Sequence, residues 1–323
     1  MHRTLARGLA ALSLAAGLVS GAHAWPDQPI NFIIPSAAGG SPDVLSRLVT
    51  NQLAQDLGTP VVVENRPGAA GNIGIDLITR AAPDGYTIGY GNINTLAVNR
   101  SLFNKLPYDV DADLEPVAHL FNLYNVLIVP AESPDKSVQD LIDRARAKPG
   151  QLTYGASGVG TTGHMGGELF KHMAKIDAMF VPYNGGPAAM QDLLGGRLDF
   201  MFVNSSSAMP LIKSGRVRAL GVSSMQRLEL LPDVPTLDEL GLKGYETIAW
   251  GGVVAPHGTP AQTVQQLNAA IMKALQDPTV RAGLAKLGAV PGQGSAADFK
   301  QFIDSETAKW RQIIDDASIK KLD

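Results

Sequence analysis

Apolar and polar positions alternate along this chain in a pattern that predicts strands followed by helices. Residues 30–34 are an apolar run of strand length, and the apolar positions between 44 and 53 recur at helical spacing. Val61–Val63 is a further short apolar run, which predicts a buried strand. The cycle continues through 75–80 and 86–90. Such alternation indicates an α/β fold with a parallel or mixed sheet covered by helices on both faces.

A second series of strands and helices lies between two long extended segments, 117–129 and 245–255. These segments bracket a central block of about 120 residues, as expected where a chain crosses twice between two α/β lobes. We therefore expect one domain from residues 25–125 and 248–323, and a second from residues 126–247. Two amphipathic helices at 260–276 and 296–314 follow, with apolar stripes that predict packing against a core.

The first 24 residues have the pattern of a secretory signal peptide. Arg3 and Arg7 precede an apolar run from about Gly8 to Val19, and residues 20–24 end in a small-x-small pattern that predicts cleavage after Ala24. The apolar run is about 12 residues, whereas a membrane-spanning helix needs roughly 20, so a retained anchor is the less favoured alternative. We expect an exported protein of the periplasm.

Charge and cysteine content narrow the classes of ligand. The chain has 27 basic and 30 acidic residues and no cysteine. Removal of residues 1–24 leaves 25 basic against 30 acidic residues, a net formal charge of −5, which argues against nucleic acid as a partner. Disulfides and thiolate metal sites are excluded, and we expect no metal and no cofactor. If the ligand is an anion, local dipoles rather than the net charge of the protein must hold it.

Five loops rich in glycine, hydroxyl and amide side chains each follow a predicted strand and precede a helix. They are residues 35–43, 65–72, 89–95, 155–163 and 182–187. A helix N-terminus presents unpaired N–H groups and a positive dipole end, which favour anions. Because none of these loops carries a nucleophile with a base or a metal-binding cluster, the pattern favours an anion receptor over an enzyme.

One of these loops leaves an alternative open. Gly158–Gly163 matches G-x-G-x-x-G between a strand and a helix, as a dinucleotide-binding fingerprint requires. The matching acidic residue is expected at the end of the next strand, but that strand, 180–182, is followed by Tyr183. An exported enzyme that binds a nucleotide cofactor through Gly158–Gly163, or an exported hydrolase, is the alternative to a receptor.

Motifs along the chain resemble the Bug family, the extracytoplasmic solute receptors of tripartite tricarboxylate transporters. Residues 35–43 are similar to its P-x-x-x-G-G-x-x-D signature, and residues 64–74 to its E-N-(K/R)-P-G-A stretch. Further similar stretches are 82–87, 107–109, 154–164, 181–183, 192–196, 218–220, 232–236 and 250–260. The resemblance covers essentially all of the expected mature chain in order.

The resemblance implies a two-lobed periplasmic binding fold, type II-like, that closes on a small carboxylate-bearing solute in a central cleft. It also implies that the solute passes to integral-membrane permease subunits, without catalysis and without a cofactor. In the family, the loops corresponding to 36–41 and 157–162 face each other across the cleft. Two departures, Ser36 where relatives often have an aromatic residue and Val203 where they often have an acidic one, alter the pocket.

Neutral donors and close-approaching backbone are the hypothesised ligand contacts. The expected ligand-binding residues are Ser36, Ala37, Ala38, Gly39, Asn92, Ser157, Gly160, Thr161, Thr162, Tyr183, Asn184 and Asn204. The receptor is expected to be a monomer. A sensor kinase that contacts the liganded receptor is a further possible partner, compatible with transport. The identity of the carboxylate stays open, because aliphatic, hydroxylated, amino-substituted and aromatic carboxylates all suit a neutral cradle.

Overall fold

The computed structural model describes residues 25–316 and 319–322. The expected signal peptide and its cleavage after Ala24 therefore lie outside the described residues. Within them, ten strands form one hydrogen-bonded sheet. In chain order the strands are β1 (Ile30–Ile34), β2 (Val61–Asn65), β3 (Thr87–Asn92), β4 (Leu114–Pro130), β5 (Thr153–Ala156), β6 (Met179–Pro182), β7 (Phe200–Asn204), β8 (Val217–Val222), β9 (Ile248–Pro256) and β10 (Ala289–Pro291).

Helices connect these strands and cover the sheet. In chain order the α-helices of the described residues are α1 (Ser41–Leu57), α2 (Asn72–Thr79), α3 (Asn99–Leu102), α4 (Val110–Asp113), α5 (Val138–Ala147), α6 (Thr162–Ala174), α7 (Gly186–Leu194), α8 (Ser205–Lys213), α9 (Ala261–Gln276), α10 (Pro278–Lys286) and α11 (Ala296–Asp316). A 3-10 turn at Ala69–Gly71 leads into α2, and a π-helical turn at Asn94–Val98 leads into α3.

The sheet is mixed, with two parallel groups joined through antiparallel strands. Its order is β2-β1-β3-β9-β4-β7-β5-β6, and β8 and β10 also pair with β4. The strands β2, β1 and β3 are parallel to one another, as are β7, β5 and β6. We call lobe 1 the part with β1–β3, β9, β10 and the helices packed on them, and lobe 2 the part with β5–β8 and their helices.

Strand β4 runs through both lobes. It pairs with β9 from Leu114 opposite Pro256 to Tyr124 opposite Ile248, and from Asn125 onward it pairs with β7. Register shifts interrupt the β4–β9 ladder at two points, and such bulges bend a strand and increase its twist. The two extended segments predicted from the sequence are thus β4 and β9, which lie side by side where the lobes meet.

Apolar stripes of the helices fill a core on each side of the sheet. The stripe of α9, with Leu267 and Ile271, packs with Leu45 and Val49 of α1 in lobe 1. The lobes also touch through apolar contacts, since Met165 of α6 lies among lobe 1 side chains. The prediction that Val61–Val63 is buried is wrong: β2 pairs only with β1 among the described strands, and Val62 is 54% exposed.

Candidate functional site

The loop between β1 and α1 is shaped from below by a buried carboxylate. Asp43 accepts hydrogen bonds from Gly39 N at 2.8 Å, Arg47 Nε at 2.8 Å and Asn65 Nδ2 at 3.0 Å. Burial alone raises the pKa of Asp43, but these three donors outweigh it and hold the pKa below its usual value. Asp43 is therefore occupied in folding the loop, which leaves Ala37, Ala38 and Gly39 exposed toward solvent.

Ser36 and Ser41 stand at the two ends of that exposed loop. The main-chain oxygen of Ser36 accepts from Asn65 Nδ2 at 3.1 Å, whereas its buried Oγ has no partner among the described residues. Helix α1 begins at Ser41 with Gly40 as its N-cap and without a side-chain cap. Ser41 Oγ instead lies 2.7 Å from Ser206 Oγ of lobe 2, so this loop meets the start of α8 directly.

The predicted donor Asn92 is engaged within its own turn. Its Oδ1 accepts from Asn94 N at 3.1 Å, from Thr95 N at 3.1 Å and from Thr95 Oγ1 at 3.2 Å. These bonds fix the end of β3 at the entry to the π-helical turn. The side-chain oxygen of Asn92 is thus engaged within this turn.

The loop between β5 and α6 is held by side chains of the helix that it precedes. Thr161 caps α6 by accepting from His164 N at 3.4 Å, and its hydroxyl donates to Gly158 O at 2.7 Å. Gly160 N donates to His164 Nδ1 at 3.1 Å. His164 is buried and stacks on Phe180 with ring centroids 4.0 Å apart. Burial lowers the pKa of His164 to about 4, so the ring is neutral near pH 7.

Thr162 and Asn204, which begin α6 and cap α8, are joined through Asn125 of β4. Asn125 Nδ2 donates to Asn204 Oδ1 at 3.0 Å and to Thr162 Oγ1 at 3.4 Å. Its Oδ1 accepts from Thr247 Oγ1 at 3.3 Å, and its main-chain N–H donates to Ser223 Oγ at 2.9 Å. The N-termini of α6 and α8 are thereby fixed side by side at the place where β4 and β9 cross between the lobes.

The remaining predicted residues belong to lobe 2, where they follow the strands β5 and β6. The Tyr183 hydroxyl donates to Asp192 Oδ2 at 2.6 Å, and burial together with this carboxylate raises the pKa of Tyr183 to about 12. Asn184 and Ser157 are exposed, and Ser157 lies beside Gly186 at the start of α7. Tyr183 therefore points its hydroxyl into its own lobe, while Ser157 and Asn184 keep exposed side chains.

Gly160 brings lobe 2 against lobe 1 at a second place. A Cβ at Gly160 would lie 3.1 Å from Leu102 Cδ2 and 3.2 Å from Asn99 Oδ1 of lobe 1, and the backbone there has a φ of +74°. The short distances and the positive φ both favour glycine at this position. Together with the contact between Ser41 and Ser206, this packing brings the two lobes into contact along a seam, with the loops at 35–43 and 155–163 on either side of it.

Sequence reasoning missed three residues at this seam: Asn99, Asn125 and Ser206. Asn99 and Asn125 are both buried amides. A buried amide needs hydrogen-bond partners, and the available signal for Asn125 was its place beside the apolar run 126–129, whereas Asn99 is followed by polar residues. Ser206 gave no such signal, because it is one of three consecutive serines at the start of α8.

The glycines of Gly158–Gly163 have packing reasons to be glycine. The motif does join a strand to a helix, as predicted. A Cβ at Gly163 would lie 2.5 Å from Phe202 O, so this glycine lets α6 approach β7, and Gly160 lies against lobe 1. These roles need no nucleotide. Among the described residues no group of three or more His, Asp or Glu side chains is arranged to hold a metal ion.

Two open surface depressions lie away from the seam. One, of about 400 Å³, is lined by residues around His119 and Phe299, and the other, of about 490 Å³, by residues around Arg100 and Tyr108. Neither includes any of the predicted ligand-binding residues. Over the described part of the chain, none of the helices combines the length and the apolar character that crossing a membrane requires.

Comparisons with known proteins agree with this architecture. The model of a family described as tripartite tricarboxylate transporter family receptor matches residues 45–319. Protein BugT of Bordetella pertussis is 35% identical over 300 residues, which cover 93% of this chain and 92% of BugT.

Two solved structures are similar over almost the whole chain. R. palustris Rpa4515 with adipate has a TM-score of 0.88 and 36% identity, and the match covers 92% of this chain and 100% of that one. MatC (Rpa3494) from Rhodopseudomonas palustris with bound malate has a TM-score of 0.84 and 32% identity, over 90% of this chain and 100% of that one. These neighbours confirm the predicted α/β fold with two lobes.

Proposed function

Because the chain belongs to the tripartite tricarboxylate transporter receptor family, which includes the Bug proteins, we propose that it captures a small carboxylate-bearing solute in the cleft between its lobes. The family consists of solute-binding receptors rather than enzymes. The proposal includes delivery of the solute to integral-membrane permease subunits of such a transporter, and a location in the periplasm.

The observation that carries the proposal is the convergence of helix N-termini at the seam. Asn125 holds the starts of α6 and α8 side by side, and the start of α1 reaches them through Ser41 and Ser206. Each helix N-terminus favours a negative charge by roughly 0.3 to 1 kcal/mol, and each charge-assisted hydrogen bond adds roughly 1.5 to 3 kcal/mol. Several together reach the roughly 8 kcal/mol of micromolar binding.

The structure changes which groups we assign to the ligand. The side chains of Asn92, Thr161, Thr162, Tyr183 and Asn204 are engaged within the protein. The N–H groups of Gly39 and Gly160 are likewise engaged, with Asp43 and His164. We therefore assign ligand contact to the main-chain N–H groups of Ala37, Ala38, Thr161 and Thr162, and to the side chains of Ser36, Ser157 and Asn184. Asn92 and Tyr183 become supports of the cleft wall.

Closure of the lobes is the proposed mechanism of capture. A ligand that contacts both lobes only when they are closed shifts the equilibrium between open and closed states by its differential affinity. The lobes that move would be residues 25–125 with 248–323, and residues 126–247. The ligands bound in two similar structures, adipate and malate, support a carboxylate as the solute class.

A thermal-shift screen of carboxylates followed by calorimetry tests the proposal. Adipate and malate are included, and at least one carboxylate is expected to raise Tm, because only ligands of the native state stabilise it. Gly160→Val is expected to weaken binding of that carboxylate at least about tenfold, since the new side chain would meet Leu102 and Asn99 across the seam.

Gly215→Val is the matched control. Gly215 has nearly the same backbone conformation, with a φ of +67°, but nothing within 4 Å of its Cβ position. Its substitution imposes similar backbone strain without blocking closure, so binding is expected to stay within about threefold of wild type. Absence of binding by every carboxylate tested, or equal loss in both variants, would contradict the proposed cleft.

The alternatives have their own tests. An enzyme that uses Gly158–Gly163 would show turnover or bind NAD in calorimetry, and we expect neither. A sensor kinase as a further partner would be retained by the liganded receptor and not by the unliganded one. Uptake of the bound carboxylate by vesicles that contain the permease subunits, dependent on the added receptor, is the expected outcome for delivery.

A further inference from the structure

Asn99 of lobe 1 is completely buried, yet its side-chain oxygen lacks a hydrogen-bond partner among the described residues. Its amide Nδ2 donates to Asn72 Oδ1 at 2.7 Å and lies 3.4 Å from Ala70 O. Asn72 Oδ1 also accepts from the Tyr108 hydroxyl at 3.0 Å. Because both neighbours of Asn99 Nδ2, Asn72 Oδ1 and Ala70 O, are acceptors, they fix the orientation of the Asn99 amide. Its Oδ1 is therefore directed away from Asn72 and Tyr108.

The unpartnered oxygen of Asn99 faces the N-terminal end of α6 in lobe 2. It lies 3.2 Å from the position that a Cβ of Gly160 would occupy, one residue before the N-cap Thr161. Helix α6 has 13 residues. Thr161 caps the N–H of His164, and the N–H groups of Thr162 and Gly163 have no partner within the helix. An acceptor on lobe 1 and donors on lobe 2 therefore meet across the seam.

Two further observations mark the same place. Asn99 directly follows the π-helical turn Asn94–Val98, a rare backbone conformation that is frequent at functional sites. The hydroxyl oxygen of Ser36 is also buried without a partner among the described residues, and Ser36 follows Pro35, whose carbonyl borders Gly71. Ser36 and Asn99 thus both lie near the turn Ala69–Gly71.

We propose that Asn99 Oδ1 accepts a hydrogen bond from a hydroxyl or ammonium group adjacent to the ligand's carboxylate, so that the receptor selects α-hydroxy or α-amino carboxylates over unsubstituted ones. The inference rests on the proposed carboxylate cleft. The carboxylate occupies the N–H groups at the start of α6, and the neighbouring donor reaches Asn99. Closure around an unsubstituted acid leaves a buried acceptor without a partner, which is unfavourable.

A series of three four-carbon acids isolates this contact. Succinate, malate and aspartate share one skeleton and differ at C2, which carries hydrogen, hydroxyl or ammonium. Calorimetry on the wild-type protein is expected to give malate or aspartate an affinity at least about tenfold higher than that of succinate. A structure with the tighter ligand is expected to place its hydroxyl or ammonium within hydrogen-bond distance of Asn99 Oδ1.

Asn99→Leu removes the acceptor at nearly constant volume. This substitution is expected to reduce the preference for malate or aspartate over succinate to about threefold or less, with the affinity for succinate nearly unchanged. Tyr108→Phe is the matched control: it removes a hydroxyl from the same buried cluster but leaves Asn99 in place, and the preference is expected to persist. Loss of the preference in Tyr108→Phe as well would assign the effect to packing of the cluster and overturn the proposal.

The remaining outcomes distinguish failure of the Asn99 subsite from failure of the proposed function. Equal affinity of the wild-type protein for all three acids, binding of adipate alone, or a water molecule in place of the ligand donor at Asn99 would overturn the subsite while leaving carboxylate binding intact. If the wild-type protein binds none of these four acids or any other carboxylate, the proposed function itself fails. The wild-type measurement needs no variant, so poor folding of Asn99→Leu leaves the test decisive.

Discussion

His164 shows how one buried side chain supports the seam and makes it sensitive to acid. Its Nδ1 accepts the N–H of Gly160, which requires a ring nitrogen without a proton. Burial lowers its pKa to about 4; Glu168 opposes this shift and Lys171 adds to it. The unfolded chain, in which a histidine has a pKa near 6.5, therefore binds a proton in a pH range where the native protein does not.

We expect His164 to cost stability as the pH falls from about 6.5 to about 4, because protonation there favours the unfolded state. The loss attributable to this residue is about 3 kcal/mol across that range. His164→Asn keeps an acceptor for Gly160 N but has no proton to bind. Urea unfolding of both proteins at about pH 7 and about pH 4 checks this: the variant should lose less stability, and parallel losses would contradict the assignment.

Several amides and hydroxyls expected to meet the solute are instead bound to the protein itself. Sequence identifies such donors but not their partners, and Asn204 and Tyr183 find theirs in Asn125 and Asp192, which lie 79 and 9 residues away. The loops themselves were more readable, because the apolar pattern predicts the strand before and the helix after each of them. The cleft loops could thus be placed from sequence, whereas the direction of each side chain depended on tertiary contacts.

Strands β4 and β9 and the helices α6 and α8 meet at Asn125. The same side chain bonds to the N-cap of α8, the first residue of α6 and Thr247 just before β9. A charge placed here would therefore compete for the dipoles that we assign to the ligand.

We expect Asn125→Asp to weaken binding of malate and adipate at least about tenfold while the protein stays folded. The added carboxylate would lie at two helix N-termini, where it is stabilised but repels an incoming anion. Asn122→Asp is the control, because Asn122 is on the same strand but contacts His119 rather than α6 or α8. Calorimetry measures the affinity of both variants for malate and adipate. Unchanged affinity in Asn125→Asp would contradict the proposed role of the helix dipoles of α6 and α8.

Helix and strand alternation predicted most of the fold, including the two crossing segments. It mistook β2 for a buried strand, because an apolar run alone does not say whether a strand has neighbours on both sides. It also missed α10 and β10, which fill the stretch between the two tail helices. These short elements depend on tertiary contacts rather than on an apolar pattern of their own: α10 packs on α1, and β10 pairs with β4.

The two lobes are in contact at several points of the seam in this structure. Apolar contacts of Met165 and Ile313 reach across it, and the hydroxyls of Ser41 and Ser206 meet at 2.7 Å. We assign this arrangement to the closed state of the proposed cycle, in which the opening motion would separate these two serines.

A pair of cysteines at Ser41 and Ser206 is expected to form a disulfide under mild oxidation, because the native hydroxyls are already in contact and the chain has no other cysteine. Malate or adipate, if bound, should accelerate cross-linking by favouring the closed state. The control pairs Ser41→Cys with Ser207→Cys. Ser207 is the residue after Ser206, and its side chain is exposed. Non-reducing electrophoresis reports the bond, and equal rates for both pairs would contradict a closed seam at this point.

Strand β4 belongs to the hydrogen-bonded ladders of both lobes over its 17 residues. Cutting the protein into two separately produced pieces at this strand would deprive each piece of part of its sheet. Chimeric receptors made by exchanging entire halves between relatives would join strand β4 of one protein to the ladders of another. Engineering a new solute preference should therefore transplant the surface loops and retain the shared strand.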